Sequence, residues 1–346
     1  MKAKSNLRIV IDDKIPYIRE TIETITDRAV YLPGAAISRE DVADADAMIV
    51  RTRTRCDAAL LEGSSVGFVA TATIGFDHID ADFMQRAGIR WMSCPGCNSS
   101  SVAQYLRSVM ILLRREKGMA LKGMTMGIVG CGHVGSKVAE EARKEGMRVI
   151  ICDPPLAERG MGDGFVTLDT ICNEADVITF HVPLTRCGDH PTYHMADREL
   201  FAKMKRKPVI INTSRGAVVD NAALVEAIDE GRVSLAVIDT WENEPHINAD
   251  LLERAWIATP HIAGYSADGK VNADNMVIEG LCRHFSLPLP ERIEAPALPD
   301  DFVFPDGDDE LHLALYNPLD DCKRLKAAPE DFEKQRGNYP LRREKR

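Results

Sequence analysis

Gly130-Cys131-Gly132-His133-Val134-Gly135 is the stretch on which the reading of this chain of 346 residues turns. The residues before it, MTMGIV from Met124 to Val129, form a short run of strand length, and those from Val134 to Glu145 follow helical periodicity. Glycines at the first, third and sixth places of a strand-to-helix turn each have a physical task. The first permits the tight turn, the second lets backbone approach a pyrophosphate, and the third allows the helix to pack closely on the strand. The helix N-terminus adds free N–H groups and partial positive charge. The next apolar run, Arg148 to Cys152, leads into Asp153, 18 residues past Gly135, where a carboxylate meets the adenosine ribose hydroxyls. A carboxylate repels a 2′-phosphate, and two prolines rather than an arginine follow, so the expected cofactor is NAD rather than NADP.

On either side, short apolar runs alternate with amphipathic stretches, the mark of repeated β-α units. Strands are expected at 7–11, 47–50, 67–71 and 89–92, then at 125–129, 149–152, 177–181, 209–213, 235–239 and 257–259. Between the two series, Ser99 or Ser100 caps a helix with apolar residues at Val102, Tyr105, Leu106, Val109, Met110 and Leu113. The expectation is an α/β protein with three parts. Residues 1–95 with 268–287 form a smaller flavodoxin-like substrate domain, 96–267 a Rossmann-type doubly wound parallel sheet domain, and 288–346 a short α+β tail. The tail follows a proline-rich and acidic linker and ends in LRREKR, read as a solvated basic run.

Composition narrows the function classes. The formal charge of −10 disfavours nucleic acid and anionic membrane surfaces, because nothing in the bulk charge draws the chain to phosphate polymers. No apolar run approaches a membrane span of about 18 residues, and the N-terminus lacks a signal-peptide core. Nine scattered cysteines suit a reducing compartment, and the cytoplasm is expected. Cys94-Pro95-Gly96-Cys97 has redox spacing without a thioredoxin-like surround, so structural thiols are expected. His181, His190 and His194 lack a matching ligand cluster, and no metal is expected.

Three segments fall at successive strand ends of the second series: NTSRG at 212–216, DTWENEP at 239–245 and TPHIAGY at 259–265. Open α/β sheets bind ligands beyond the carboxyl ends of their strands. Arg215 can hold a carboxylate, His261 can exchange a proton near neutral pH, and a carboxylate at Glu244 stabilises its protonated form. With NAD beside them, the natural chemistry is oxidation of a 2-hydroxy acid.

RGAVVDNAALVEAI, DTWENEP, ATPHIAG and GIVGCGHVG resemble the D-isomer-specific 2-hydroxyacid dehydrogenase family over essentially residues 1–285. The segments IDDKIPY, VRTRT, TATIGFDHID, CPGCN, CDPP, TFHVPL and HIAGY are similar to one branch of it, which acts on a phosphorylated hydroxy acid in vitamin B6 biosynthesis. The resemblance implies a catalytic set of Arg215, Glu244 and His261. It implies NAD contacts at Gly130, Gly132, His133, Val134, Gly135, Asp153, Val182, Thr213, Ser214 and Gly264, with Asp239 near the nicotinamide. Thr52, Thr73 and Tyr265 are the implied substrate positions, and Arg51, beside Thr52, is a candidate for the substrate phosphate. A tail used for dimerisation makes a homodimer the expected assembly. Two other readings stay open: the same chemistry on 3-phosphoglycerate or D-glycerate, and an NAD-responsive binding protein.

Overall fold

The computed structural model describes residues 4–162 and 164–345. Two compact units emerge, the first made of Met1–Asn98 with Ser266–Pro299 and the second of Ser99–Tyr265 with Asp300–Arg346.

In the first unit, five strands, β1 (Ser5–Asp12), β2 (Thr26–Leu32), β3 (Ala47–Val50), β4 (Phe68–Thr71) and β5 (Arg90–Met92), form one parallel sheet in the order β2-β1-β3-β4-β5. That 2-1-3-4-5 order is the flavodoxin-like winding. The middle strands β3 and β4 are buried at every residue, which is why their sequences AMIV and FVAT are apolar without alternation. Four of the five strands match the sequence expectation. β2 does not, because it lies at the sheet edge, half exposed, and TDRAVYL carries Asp27 and Arg28 where a buried strand would show an apolar run. The helix Ala267–His284 belongs to this unit, capped by Ser266, whose Oγ accepts from the Gly269 N–H at 2.8 Å.

The second unit holds six parallel strands, β6 (Thr125–Val129), β7 (Arg148–Cys152), β8 (Val177–Phe180), β9 (Val209–Asn212), β10 (Leu235–Ile238) and β11 (Ile257–Ala258), in the order β11-β10-β9-β8-β6-β7. All six lie where the apolar runs place them. The direction of winding reverses between β6 and β8, so the crevice for a ligand opens at their carboxyl ends. Register brings those ends into line: Val129 pairs with Phe180, Phe180 with Asn212, Asn212 with Ile238, and Ile238 with Ala258. Every residue that follows one of these five therefore emerges along a single rim.

The helix Ser99–Lys117 is buried nearly all round from Ser99 to Leu113. It packs on the helix His133–Lys144 and on tail helices Asp308–Leu315 and Pro318–Ala327. A charged knot fastens the first of these tail helices: Arg114 binds Glu145 at 2.9 Å and Asp309 at 2.6 Å, while Arg107 also reaches Glu145 and Asp309. The tail departs from expectation in two respects. Among the described residues 300–345 there are helices and no strand, and this segment clusters with the second unit. The described part of LRREKR is not solvated either, because Leu341 to Lys345 are all buried or half-buried. Arg342 is only 7% exposed, its charge met by protein acceptors instead of water.

Candidate active site

The glycine loop follows β6 directly. Gly130 sits at φ +91°, a left-handed conformation that costs glycine little, and a Cβ there would lie 2.6 Å from the His181 carbonyl oxygen at the end of β8. A Cβ on Gly135 would strike the Gly130 carbonyl oxygen at 2.0 Å, so the helix starts this close to the loop only because that position is bare. Gly132 is different. A Cβ there would meet nothing, and the residue is exposed, which leaves an open approach to the N-terminus of the helix His133–Lys144. A bare, open position above free helical N–H groups is what a pyrophosphate requires.

Asp153 closes β7. Its Oδ2 accepts from the Cys131 N–H at 2.8 Å and its Oδ1 from the Leu156 N–H at 3.0 Å, the latter capping a short helix at Pro154–Glu158. The acid is thereby fixed beneath the glycine loop. Val182, just past β8, touches the position a Gly130 side chain would fill. Past β9, Asn212 organises the turn: its Oδ1 accepts from Ser214 N–H and Oγ–H, and its Nδ2 donates to the Arg215 carbonyl. Arg215 is half-buried and directs one of its N–H groups to the Ser214 carbonyl at 2.8 Å. The hydroxyl of Thr213 is buried without a protein partner. The bare Gly132, the anchored Asp153 and this unpaired hydroxyl, all on one rim, fit a dinucleotide.

His261 and Glu244 meet directly. His261 Nδ1 lies 2.8 Å and 3.0 Å from the two carboxylate oxygens of Glu244. An ionised carboxylate can only accept, so Nδ1 carries the hydrogen and Nε2 keeps its lone pair in the neutral ring. Burial works to raise the Glu244 pKa, but the His261 charge and hydrogen bond, the Trp241 N–H at 2.9 Å and Arg336 together hold it below its ordinary value. Glu244 is therefore kept ionised.

His261 adopts φ +58°, a left-handed conformation unfavourable for a residue with a side chain. Asp239, 1% exposed at the end of β10, explains how it is held. Its carbonyl accepts from the His261 N–H at 2.8 Å, and its carboxylate accepts from the Ile262 N–H at 2.7 Å, the Ala263 N–H at 3.0 Å and the Thr259 hydroxyl at 2.7 Å. Tyr105 extends the chain, its hydroxyl 2.9 Å from that of Thr259. Burial raises the Asp239 pKa against the pull of His261 and these donors. Gly264 and Tyr265 complete the loop, both half-buried.

In the first unit, Arg51 is 25% exposed and faces fully buried Asp12, with Nε at 3.1 Å and Nη2 at 3.2 Å. Thr52 is exposed beside it. The Thr73 hydroxyl lies 2.6 Å from that of Thr71 and donates to the Gly75 carbonyl at 2.9 Å. Cys94 is buried and directs its thiol to the carbonyls of Thr71 and Ala273, a packing role.

Sequence reasoning missed Arg336, whose Nη1 stands 3.7 Å from Glu244 Oε2, and Arg342, which binds the loop after His261. No spacing rule links a tail arginine to a loop some 80 residues upstream. The anchoring role of Tyr105 was equally hidden, since it read as one apolar position of a helix.

Residues 101–263 match the family described as D-isomer specific 2-hydroxyacid dehydrogenase, NAD binding domain. The chain is 52% identical over 340 residues to the erythronate-4-phosphate dehydrogenase of Bacteroides thetaiotaomicron, covering 98% of each. It is 40% identical to that of Porphyromonas gingivalis, covering 98% of this chain and 94% of the relative. Among solved structures, NAD-bound 3-phosphoglycerate dehydrogenase of Entamoeba histolytica superposes with a TM-score of 0.70 at 26% identity, covering 82% of this chain and 96% of the other. With 52% and 40% identity over nearly its whole length to these relatives, the chain belongs to the erythronate-4-phosphate dehydrogenases among the D-isomer specific 2-hydroxyacid dehydrogenases.

Proposed function

We propose that this chain oxidises 4-phospho-D-erythronate at C2, giving 2-oxo-3-hydroxy-4-phosphobutanoate in the biosynthesis of pyridoxal 5′-phosphate. The observation that carries the chemistry is the His261–Glu244 pair at 2.8 Å on the same rim as the glycine loop. The full-length identity to named erythronate-4-phosphate dehydrogenases carries the substrate. NAD, when bound, supplies the hydride acceptor. Gly130, Gly132, His133, Val134 and Gly135 would hold its pyrophosphate and Asp153 its ribose, with Val182, Thr213, Ser214 and Gly264 along its length. His261 accepts the C2 hydroxyl proton at Nε2, and Glu244 stabilises the imidazolium that results. Arg215 binds the substrate carboxylate and stabilises negative charge on the C2 oxygen. Asp239 acts through the loop it fixes.

Thr52, Thr73, Tyr265 and Arg51 are assigned to the substrate, the last to its phosphate. A homodimer in the cytoplasm completes the proposal. The cytoplasmic part is supported by cysteines that are mostly buried and form no disulfide among the described residues, where also no helix is long and apolar enough to cross a membrane. Sedimentation or light scattering tests the dimer.

The function is tested by a turnover assay on 4-phosphoerythronate, 3-phosphoglycerate and D-glycerate, run with free NAD and again with a 2-oxo acid as electron acceptor. Preference for 4-phosphoerythronate, with turnover lowered on the order of 100-fold in His261→Gln at unchanged NAD affinity, is expected. Tight NAD binding with no acid oxidised overturns the reading in favour of an NAD-responsive binding protein.

A further inference from the structure

The peptide units that follow His261 are held from both edges. Asp239 takes the N–H groups of Ile262 and Ala263. Arg342, from the tail, takes the carbonyls: Nη1 donates to Ile262 at 3.0 Å and Tyr265 at 2.9 Å, and Nη2 to Ala263 at 2.5 Å. It also donates to the Ser101 carbonyl at 3.2 Å and the Gln104 side-chain oxygen at 3.1 Å, with Tyr316 stacked 3.9 Å beneath the guanidinium and the Tyr339 hydroxyl beside it. Five acceptors for five N–H donors make this a site that a planar fork satisfies and an ammonium cannot. The segment lies against the N-terminal turns of the helix Ser99–Lys117, where Gln104 donates to the Arg343 carbonyl and Ser101 to Glu344.

We propose that Arg342 is a positioning residue for His261: with Asp239 it clamps the loop 262–265, keeping His261 in its left-handed conformation with Nδ1 on Glu244. The tail is thus part of the catalytic apparatus of its own chain. This rests on the reading of His261 as the base.

A second tail residue acts on the same pair. Arg336, on the helix Phe332–Gly337, stands 3.7 Å from Glu244 and 3.9 Å from Glu333. Among the described residues, the charged and titratable groups that act on the pair are Asp239 and Glu244 on the His261 side, with Arg336 and Glu333 on the tail. Arg336 offsets part of the Glu244 charge, which would otherwise act undiminished on protonated His261.

The test uses the full-length enzyme with Arg342→Lys, Arg342→Ala and Arg336→Met, each normalised to NAD-binding capacity so that unfolded protein is not counted. Both Arg342 variants should lose kcat by about 10- to 100-fold, as expected for a misplaced catalytic group, with NAD affinity changed less than about twofold. Added guanidinium should restore part of the loss in Arg342→Ala. Hydrogen exchange at the Ile262 and Ala263 amides should accelerate. That readout needs no turnover, so it separates failure of the clamp from failure of the functional reading. In Arg336→Met the acidic limb of kcat/KM for oxidation should move to higher pH, and Arg336→Lys should return it. Unchanged kcat per NAD-competent site in the Arg342 variants, or unchanged exchange at the two amides, overturns the proposal. If the Arg342 variants do not fold, Gln104→Met, which removes one of the Arg342 acceptors, takes their place, and unchanged exchange at the two amides there overturns the clamp; an unmoved acidic limb in Arg336→Met overturns the role given to Arg336.

Discussion

Asp153 Oδ2 accepts a hydrogen bond from the Cys131 N–H at 2.8 Å, so the residue read as the ribose acid is also a strut of the glycine loop. Asp153→Ala removes both functions. The loss of a charge-assisted bond predicts NAD affinity lower by about 10- to 100-fold. Turnover at saturating NAD should change far less, because His261 and Glu244 are held independently. Discrimination against NADP should narrow as well, since the repelling carboxylate is gone. Titration of the variant with each nucleotide checks this, and an unaltered NAD to NADP ratio would refute the ribose assignment.

Most of the fold was legible because buried parallel strands must be apolar on both faces. VIIN, LAVI and VITF could be placed without a neighbour in view. β2 was hidden by its edge position, and the buried tail by its charge. Arg342 sits in a basic run, and only the fold shows that carbonyls of an upstream loop take the place of water around it. At the site, Arg215, Glu244 and His261 could be named because each follows a strand end. The left-handed backbone of His261 left no trace in composition, since it is imposed by Asp239 and the loop carbonyls.

Arg51 illustrates a residue with two claims on it. Its guanidinium neutralises Asp12, which is fully buried, so Arg51→Met leaves an uncompensated carboxylate in the first unit. Removing one member of such a pair costs about 3–5 kcal/mol, against about 1 kcal/mol or less for Arg53→Met at the neighbouring exposed position. Denaturant unfolding of the two variants reads the difference. The double variant Arg51→Met/Asp12→Asn should recover stability. If Arg51 also binds the substrate phosphate, KM for the phosphorylated acid stays high in the double variant; recovery of KM together with stability would confine Arg51 to structure.

Asp274 gives the first unit a pH dependence. Burial pushes its pKa up to about 7 from an ordinary 3.8, only partly opposed by the Tyr17 N–H and Lys270, and the Cys94 thiol lies nearby. The folded chain therefore keeps a proton that the unfolded chain releases above about 4. The associated stability is complete at low pH and is lost as pH rises through 7. Asp274→Asn, which imitates the protonated acid, should be more stable than wild type at pH 8, by up to roughly 4 kcal/mol, and show no such gain near pH 4. Thermal melts at the two pH values decide it, and an equal effect at both would exclude titration of this acid as the cause.

Two glycines of the loop separate binding from folding. Gly132 has φ −74°, which alanine adopts without strain, and its Cβ would project into open space. Gly132→Ala should therefore melt like wild type. The added methyl nevertheless occupies the surface where backbone must approach the pyrophosphate, so NAD affinity should fall on the order of tenfold or more. Gly135→Ala places its methyl 2.0 Å from the Gly130 carbonyl oxygen, and the helix can accept it only by moving off β6. Overpacking of that kind costs about 1–3 kcal/mol, so this variant should lose stability before any ligand is added. Melting curves with and without NAD distinguish the two. A Gly132→Ala protein that keeps full NAD affinity would show that the pyrophosphate does not lie on this loop.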